Sequence, residues 1–391
     1  MACEEHISSE EAEQEIINAA NGLPMLKHDY DDCGRLHHSA NDVETFIIPL
    51  GSQKTSELLK TMPKERYFDA FISLQANRPH GGAGNQSKEY LPFFKSIDEF
   101  LARRQIAFCK GETTFISGKP YAVLALTRNE QNKALLATVG TKNNALIGTI
   151  DSYVEGRHFR RTNNTTNPGF YAASAAISDI GANGGTPLEL HLNLINASRK
   201  KRAEFIKGAE EAAKFNRIRR LQIDETRNPE LGEFCAAFTI IGEVPEQKEM
   251  TLKGLEEGMR VYLAGRAGIS KANDYFMIKE HLEYNLSPAF RQSVFDNISS
   301  KALCNDVSDG VDKSLRNLLR HSTGLDIIVD DCELMKTGYN PFRVYVTLDD
   351  IKYGGDDYCL IIATNSELER VPGVQEIGRV ERGEGRVIYK D

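Results

Sequence analysis

The sequence predicts a mixed α/β protein with more than one domain. Three observations carry this prediction. Short β-like apolar runs alternate with amphipathic helical stretches. The length of 391 residues suits two or three domains. Acidic clusters recur beside apolar runs and glycines from Asp151 to Asp357. A composition of 40% hydrophobic and 27% charged residues supplies ample core material.

The elements follow in order. Ser8-Ser9-Glu10-Glu11, then Ile16, Ile17 and Ala20, reads as a capped amphipathic helix stopped by Asn21-Gly22-Leu23-Pro24. Thr45–Leu50 reads as a strand, Ser52–Met62 as a helix and Tyr67–Leu74 as a strand, giving a small α/β unit over residues 1–115. Residues 76–90, with His80-Gly81-Gly82-Ala83-Gly84-Asn85, read as an exposed loop, and Ser96–Arg104 as a helix. Tyr121–Leu126, Ala134–Val139 and Ala145–Ile150 are β-like runs. The small apolar run Pro168–Ile180 predicts a tightly packed helix ending near Gly181. Leu188–Ile195 and Cys235–Gly242 read as strands around a helix over Lys201–Phe215. Residues 245–257 read as a linker or a β-turn with a short helix. Beyond it, strands are expected at 260–264, 325–329, 343–347, 358–363, 374–380 and 385–389, with helices near 271–283, 288–300 and 311–322. The expected domains are therefore 1–115, 116–246 and 250–391.

A net charge of −8 argues against a general nucleic-acid binder, because a phosphate backbone rewards a basic face. The basic run Arg199–Arg202 and the group Arg217, Arg219 and Arg220 read as solvated helix surface. The seven cysteines form no C-x-x-C pair, which predicts free thiols in a reducing cytoplasm. The histidines do not cluster as zinc ligands, and His37-His38 is their only adjacent pair. No apolar stretch approaches the roughly 18–20 residues that span a bilayer.

The acidic clusters carry the chemistry. A carboxylate beside glycine at a strand end or turn costs stability unless it has a partner. One such cluster is ordinary turn or cap chemistry. Five together suit a shared partner, a divalent cation carrying phosphate. Mg2+ prefers carboxylate and phosphate oxygens, and phosphoryl transfer mainly needs positioning and charge neutralisation. Asp151, Asp179, Asp224, Asp306 and Asp309 supply the carboxylates, and Ser308 a hydroxyl.

These residues also carry a family resemblance. Asp151-Ser152-Tyr153-Val154-Glu155-Gly156-Arg157-His158-Phe159 resembles the T-D-x-x-V-E-G-x-H-F signature of thiamine-monophosphate kinase. Ala176–Pro187, with Ser178-Asp179, resembles its L-S-D block. Asn305–Gly310 resembles D-v-S-D-G, Val261–Gly265 resembles v-x-v-T-G, Gly354–Tyr358 resembles G-G-E-D-Y, and Ile377–Val380 resembles I-G-x-i. The chain is thereby identified as similar to the superfamily that includes aminoimidazole ribonucleotide synthase, selenophosphate synthetase and the hydrogenase maturation dehydratase. The resemblance implies a two-domain synthase-like architecture, here preceded by the small N-terminal α/β unit. It implies dimerisation through the sheet of the first synthase-like domain, and ATP with Mg2+ in the cleft between the two domains.

Carried over by position, the resemblance makes Asp151, Asp179, Asp224, Asp306 and Asp309 the Mg2+ ligands, with Asp151 and Asp309 catalytic. It places Ser308, Gly310 and Asp224 at the nucleotide, and His158 and Asp356 at the acceptor. Read from its neighbours alone, His158 is equally a packed histidine between Arg157 and Phe159. The family's G-G-D-T is here Gln222-Ile223-Asp224-Glu225-Thr226. Its early G-D-D-A-A motif has no acidic counterpart, the nearest segment being Gly140–Ala145, and its terminal G-y-x-H-F segment has none. Cys109-Lys110-Gly111 only faintly resembles the selenophosphate synthetase segment and reads as structural.

The function implied is an ATP- and Mg2+-dependent phosphotransferase acting on a small, phosphorylated metabolite, in a cytoplasmic homodimer that binds neither nucleic acid nor membrane. Two alternatives stand beside it. One is ATP-dependent amide or carboxyl activation of the synthase and dehydratase type. The other is a nucleotide-binding scaffold without catalysis.

Overall fold

The computed structural model describes residues 34–35, 42–49, 55, 59–60, 62, 67–77, 86–104, 106–116, 121–128, 144–155, 158, 168–227, 233–245, 248–272, 278–338 and 345–390. The expected helix over residues 8–20, His37-His38, the Gly81–Gly84 run, the strand at 134–139 and the segment 140–143 lie outside them. Most of the expected helix at 52–62 does too. The chain divides into two compact units. The first comprises 1–162, 189–202 and 220–243, and the second comprises 163–188, 203–219 and 244–391.

In the first unit, strands β1 (Gly34–Arg35), β2 (Asp42–Pro49) and β3 (Tyr67–Asn77) are followed by helix α1 (Gln86–Arg104). Then come β4 (Ala107–Ile116), β5 (Tyr121–Arg128) and β6 (Asn144–Val154). Strands β2-β5-β3-β4 form one sheet, in which β3 and β4 run parallel across the α1 crossover and the other pairings are antiparallel. The unit expected to end at residue 115 therefore takes a further strand from 121–128.

Helix α1 starts ten residues before the expected Ser96. Its apolar spacing explains this: Tyr90, Phe93, Phe94, Ile97, Phe100 and Leu101 make one helical stripe, all buried against Ile72, Leu74, Leu124 and Leu126 of the sheet. Pro92 lies within the helix. Strand β4 has no counterpart in the sequence-based expectations, because Lys110-Gly111-Glu112 interrupts its apolar pattern.

Alternation along β5 sends Leu124 and Leu126 to α1 and Val123 and Ala125 to the opposite face. There Val123 and Ala125 pack with Ile150, Val154, Ile195, Cys235, Ala237 and Ile241. Those residues belong to a second sheet, ordered β1-β6-β9-β7-β8. Its remaining strands are β7 (Thr186–Ile195), β8 (Arg220–Thr226) and β9 (Cys235–Pro245). Burial on both faces is why β5 reads as an unbroken apolar run. It also bears on the expected dimer, because the chain's own N-terminal sheet already covers this apolar face.

The second unit contains α2 (Pro168–Ala182) and most of α3 (Arg199–Phe215). Gly169 lets them meet: a Cβ there would lie 2.3 Å from the Phe205 carbonyl oxygen. After β10 (Arg260–Ala264) come α4 (Ile269–Ala272), α5 (Ile278–Asn285), α6 (Pro288–Asp296), β11 (Ala302–Asp306) and α7 (Val311–Leu319). The chain continues through β12 (Leu325–Asp330), α8 (Asp331–Lys336), α9 (Leu348–Tyr353), β13 (Leu360–Thr364), β14 (Val374–Arg382) and β15 (Val387–Lys390). The sheet order is β11-β13-β10-β14-β12-β15. Val261 and Leu263 join the core on one face with Leu315 and Ile361, and Tyr262 and Ala264 join the core on the other with Val294 and Leu360.

The strand expected at 343–347 is not formed over 345–347. Thr347 instead opens α9 with a reciprocal capping box to Asp350. No helix forms over the described residues of 245–257. Cys235, Cys304, Cys332 and Cys359 are free thiols, as expected. No described helix is long and apolar enough to cross a membrane.

Candidate functional site

Four of the predicted acidic positions fall in the second unit. Asp306 is buried at the end of β11, and the turn Val307–Gly310 leads directly into α7. Beside it, α9 ends at Gly354 and the segment Gly355–Cys359 leads into β13. Backbone bonds knit these turns together. The Val307 N–H donates to Cys359 O at 2.9 Å, Tyr358 N–H to Val307 O at 2.9 Å, and Asp356 N–H to Ser308 O at 2.8 Å. Glycine permits the approach: a Cβ on Gly355 would sit 2.3 Å from Ser308 O, and one on Gly310, at φ 100°, would sit 2.6 Å from Lys352 O. The D-V-S-D-G and G-G-D-D-Y segments are thus one paired structure.

Within it the aspartates differ. Ser308 and Asp309 are exposed, and Asp309 pairs with Lys313 at 3.0 Å one helical turn on. Asp357, fully buried, is structural. It accepts from Gly268 N–H at 2.6 Å, from Ser270 N–H at 3.0 Å and lies 2.9 Å from His281 Nε2. Asp356 is only partly buried and accepts from Tyr358 Oη at 3.2 Å, and Tyr358 Oη lies 3.4 Å from Tyr171 Oη of α2. Burial, then the Asp309 and Asp357 charges, push the Asp356 carboxyl up to about 6, against the pull of the two phenols.

Such a raised carboxyl stabilises the fold fully below its unfolded value and loses that contribution as pH rises to about 6. Stability is therefore expected to fall between about pH 4 and pH 6, and Asp356→Asn to flatten that fall. Urea midpoints measured across the range check this. A variant that keeps the wild-type slope would exclude Asp356 as its cause.

Asp179 lies in the last turn of α2, after the buried Ser178. A residue that the sequence reading did not single out connects this helix end to the paired turns. Arg291 of α6, itself buried, donates from Nη1 to Ser178 O at 3.1 Å, from Nη2 to Ser178 Oγ at 3.0 Å and to Tyr358 O at 3.1 Å, and from Nε to Asn285 O at 3.1 Å. Asp306 and Asp179 are near enough to act on its charge, although burial dominates and lowers its pKa.

Asp151, His158 and Asp224 lie in the first unit. Asp151 is partly buried on β6. His158 does local structural work: its Nδ1 accepts the Val154 N–H at 2.9 Å and its ring packs 5.2 Å from that of Tyr153. This leaves the ring proton of a neutral imidazole on Nε2. Asp224 is exposed within β8, opposite Asn193, and accepts from Gln222 Nε2 at 3.3 Å. The basic run is not merely solvated. Lys201 pairs with buried Glu155 of the V-E-G-R-H-F segment, and Arg202 pairs with Glu225. The Lys201 pair supplies a counter-charge for a largely buried acid.

Among the described residues, no three His, Cys, Asp or Glu side chains are already gathered to enclose a metal. The donors of the second unit nevertheless fit magnesium in kind. They are all carboxylate oxygens, Asp306, Asp309 and Asp356 share the paired turns with the exposed Ser308, and Asp356 has neighbouring negative charge that a cation would relieve. Mg2+ is commonly held by one or two carboxylates together with waters and substrate phosphates, so a preformed cage is not needed.

Residues 130–244 match the family model of the AIR synthase related protein, N-terminal domain. The chain is 27% identical over 264 residues to the thiamine-monophosphate kinase of Aquifex aeolicus, covering 61% of this chain and 83% of the relative. It is 26% identical over 244 residues to the same enzyme of Leptospira interrogans, covering 57% and 76%. Crystal structures of thiamine-monophosphate kinases share the fold. The one from Aquifex aeolicus superposes with a TM-score of 0.50 at 23% identity, covering 63% of this chain and 87% of that one. The one from Stenotrophomonas maltophilia gives 0.51 at 19% identity, covering 68% and 88%.

Proposed function

We infer that this chain, a thiamine-monophosphate kinase-like member of the AIR synthase superfamily, is an ATP-dependent phosphotransferase that acts on a small, already phosphorylated acceptor. The observation that carries this reading is the pairing of the Asp306–Gly310 and Gly354–Tyr358 turns. Two motifs far apart in sequence form one acidic, glycine-permitted surface at the start of α7.

In the second unit Asp179, Asp306 and Asp309 are the proposed Mg2+ ligands; in the first, Asp151 and Asp224 are proposed for the same role. When bound, Mg2+ neutralises phosphate charge as it develops. Ser308 donates to a phosphate oxygen, and the backbone N–H groups that open α7 beyond Gly310 favour the same anion. Asp356 and His158 are assigned to the acceptor, His158 through Nε2. An acceptor that attacks through a phosphate oxygen needs no general base. A homodimer of this chain would have to use a surface other than the sheet face its own N-terminal sheet covers.

Turnover of ATP against a panel of phosphorylated and amide-bearing metabolites, thiamine monophosphate among them, tests the reading. Mass spectrometry is expected to find the γ-phosphate on a phosphorylated acceptor. ADP and phosphate released with a dehydrated or cyclised product would instead place the chain with the synthase and dehydratase chemistry.

A further inference from the structure

The turn that presents Asp356 is strained. Asp356 and Tyr358 adopt φ of 65° and 51°, a left-handed region that side-chain-bearing residues avoid. Such a turn persists only where its surroundings over-determine it. Here the carbonyls are held from behind: Asn285 Nδ2 donates to Asp357 O at 2.6 Å, and Arg291 Nη2 to Tyr358 O at 3.1 Å. The same guanidinium grips both the carbonyl and the hydroxyl of Ser178, immediately before Asp179. All four of its acceptors are neutral oxygens, so among the described residues no direct carboxylate contact cancels its charge, and Asp306 and Asp179 act on it from nearby.

A buried arginine spent on neutral acceptors is a costly way to stabilise a core, and apolar packing commonly serves as well. Its placement makes sense as a fixed cation behind several anions. Resting on the phosphotransferase reading, we propose that Arg291 is the positioning residue of the acidic site. It locks the Asp179 end of α2 to the Asp356–Tyr358 turn and sets the spacing of the carboxylates that receive the metal–phosphate group.

Mn2+ is the probe, titrated into the full-length protein and followed by electron paramagnetic resonance. Arg291→Lys keeps the charge but cannot span Ser178, Tyr358 and Asn285 together. It is expected to weaken Mn2+ binding by about 10- to 100-fold, the usual cost of losing an outer-shell partner, while circular dichroism shows it folded. Val380→Ala, a core truncation elsewhere in the same unit, is expected to lose stability and bind Mn2+ as wild type does. Arg291→Lys that is folded and binds Mn2+ as tightly as wild type would overturn the proposal. Should it fail to fold, Ser178→Ala, which deletes one acceptor, is expected to weaken Mn2+ in the same direction by less, and an unchanged affinity there would also overturn it. Wild type that binds Mn2+ yet phosphorylates no acceptor would sink the phosphotransferase reading alone. Wild type that binds no Mn2+ would sink both.

Discussion

Asp309→Asn is expected to lower ATP turnover by about 10²- to 10³-fold, the scale of removing one group aimed at developing charge. The fold should be untouched. Asp309 is exposed, and its bond to Lys313 is an exposed i,i+4 ion pair, a kind worth no more than about 0.5 kcal/mol. Steady-state turnover with the acceptor identified from the panel, beside a urea melt, separates the two effects. A melt that matches wild type together with undiminished turnover would remove Asp309 from the metal-binding set. A lowered melt would mean the residue is structural, contrary to its exposure.

Gly181→Ala is expected to cost stability through a single methyl group. In an ordinary helix interior this substitution gains about 1 kcal/mol. Here the added Cβ would lie 1.8 Å from Arg291 Nη1 and 2.8 Å from Cζ. A free arginine would swing aside. This one is buried and pinned by Ser178, Tyr358 and Asn285, so either the bonds break or α2 shifts. The expected result is a loss of about 2–3 kcal/mol, the cost of forcing an atom into a packed site, read from the denaturation midpoint. The reversed sign is the diagnostic, since a gain in stability would mean Arg291 is not held as described. Because the displaced group stands behind Asp179 and Asp356, metal binding should weaken as well.

The motif blocks were legible because each keeps its chemistry in contiguous residues. Asn305–Gly310 and Gly354–Tyr358 could be read separately, and folding shows why glycine stands in both: one turn lies on the other's backbone. Arg291 was not legible. Its partners are mostly backbone carbonyls, which leave no mark on residue identity, and they lie far along the chain at Ser178 and Tyr358. Tyr171 was lost among alanines for a related reason, since its partner is another phenol at Tyr358.

Among the elements, β8 was hidden by its polarity. Arg220, Gln222 and Asp224 alternate with Leu221 and Ile223, and its hydrogen-bonding neighbour β7 supplies matching polar residues at Glu189, His191 and Asn193. The start of α9 had left a signal, Thr347 with Asp350 three residues on, that a capping-box reading would have found. Asp357 could not be told from Asp356 in sequence. Only burial separates the acid that braces the β10–α4 turn from the acid that shares the candidate site.

The strand β5, apolar on both faces, sets a schedule for the nascent chain. Its α1-facing side can be satisfied as soon as the preceding hundred-odd residues have left the ribosome. Val123 and Ala125 then wait for Ile195, Cys235, Ala237 and Ile241. At about 5–20 residues per second, the last of these follows roughly 6–25 s later. Through that interval a finished small sheet presents a bare, sticky surface, and only the arrival of the synthase-like strands ends the exposure. The sheet that contains β5 is therefore complete before the later strands that cover it, and needs protection while translation continues.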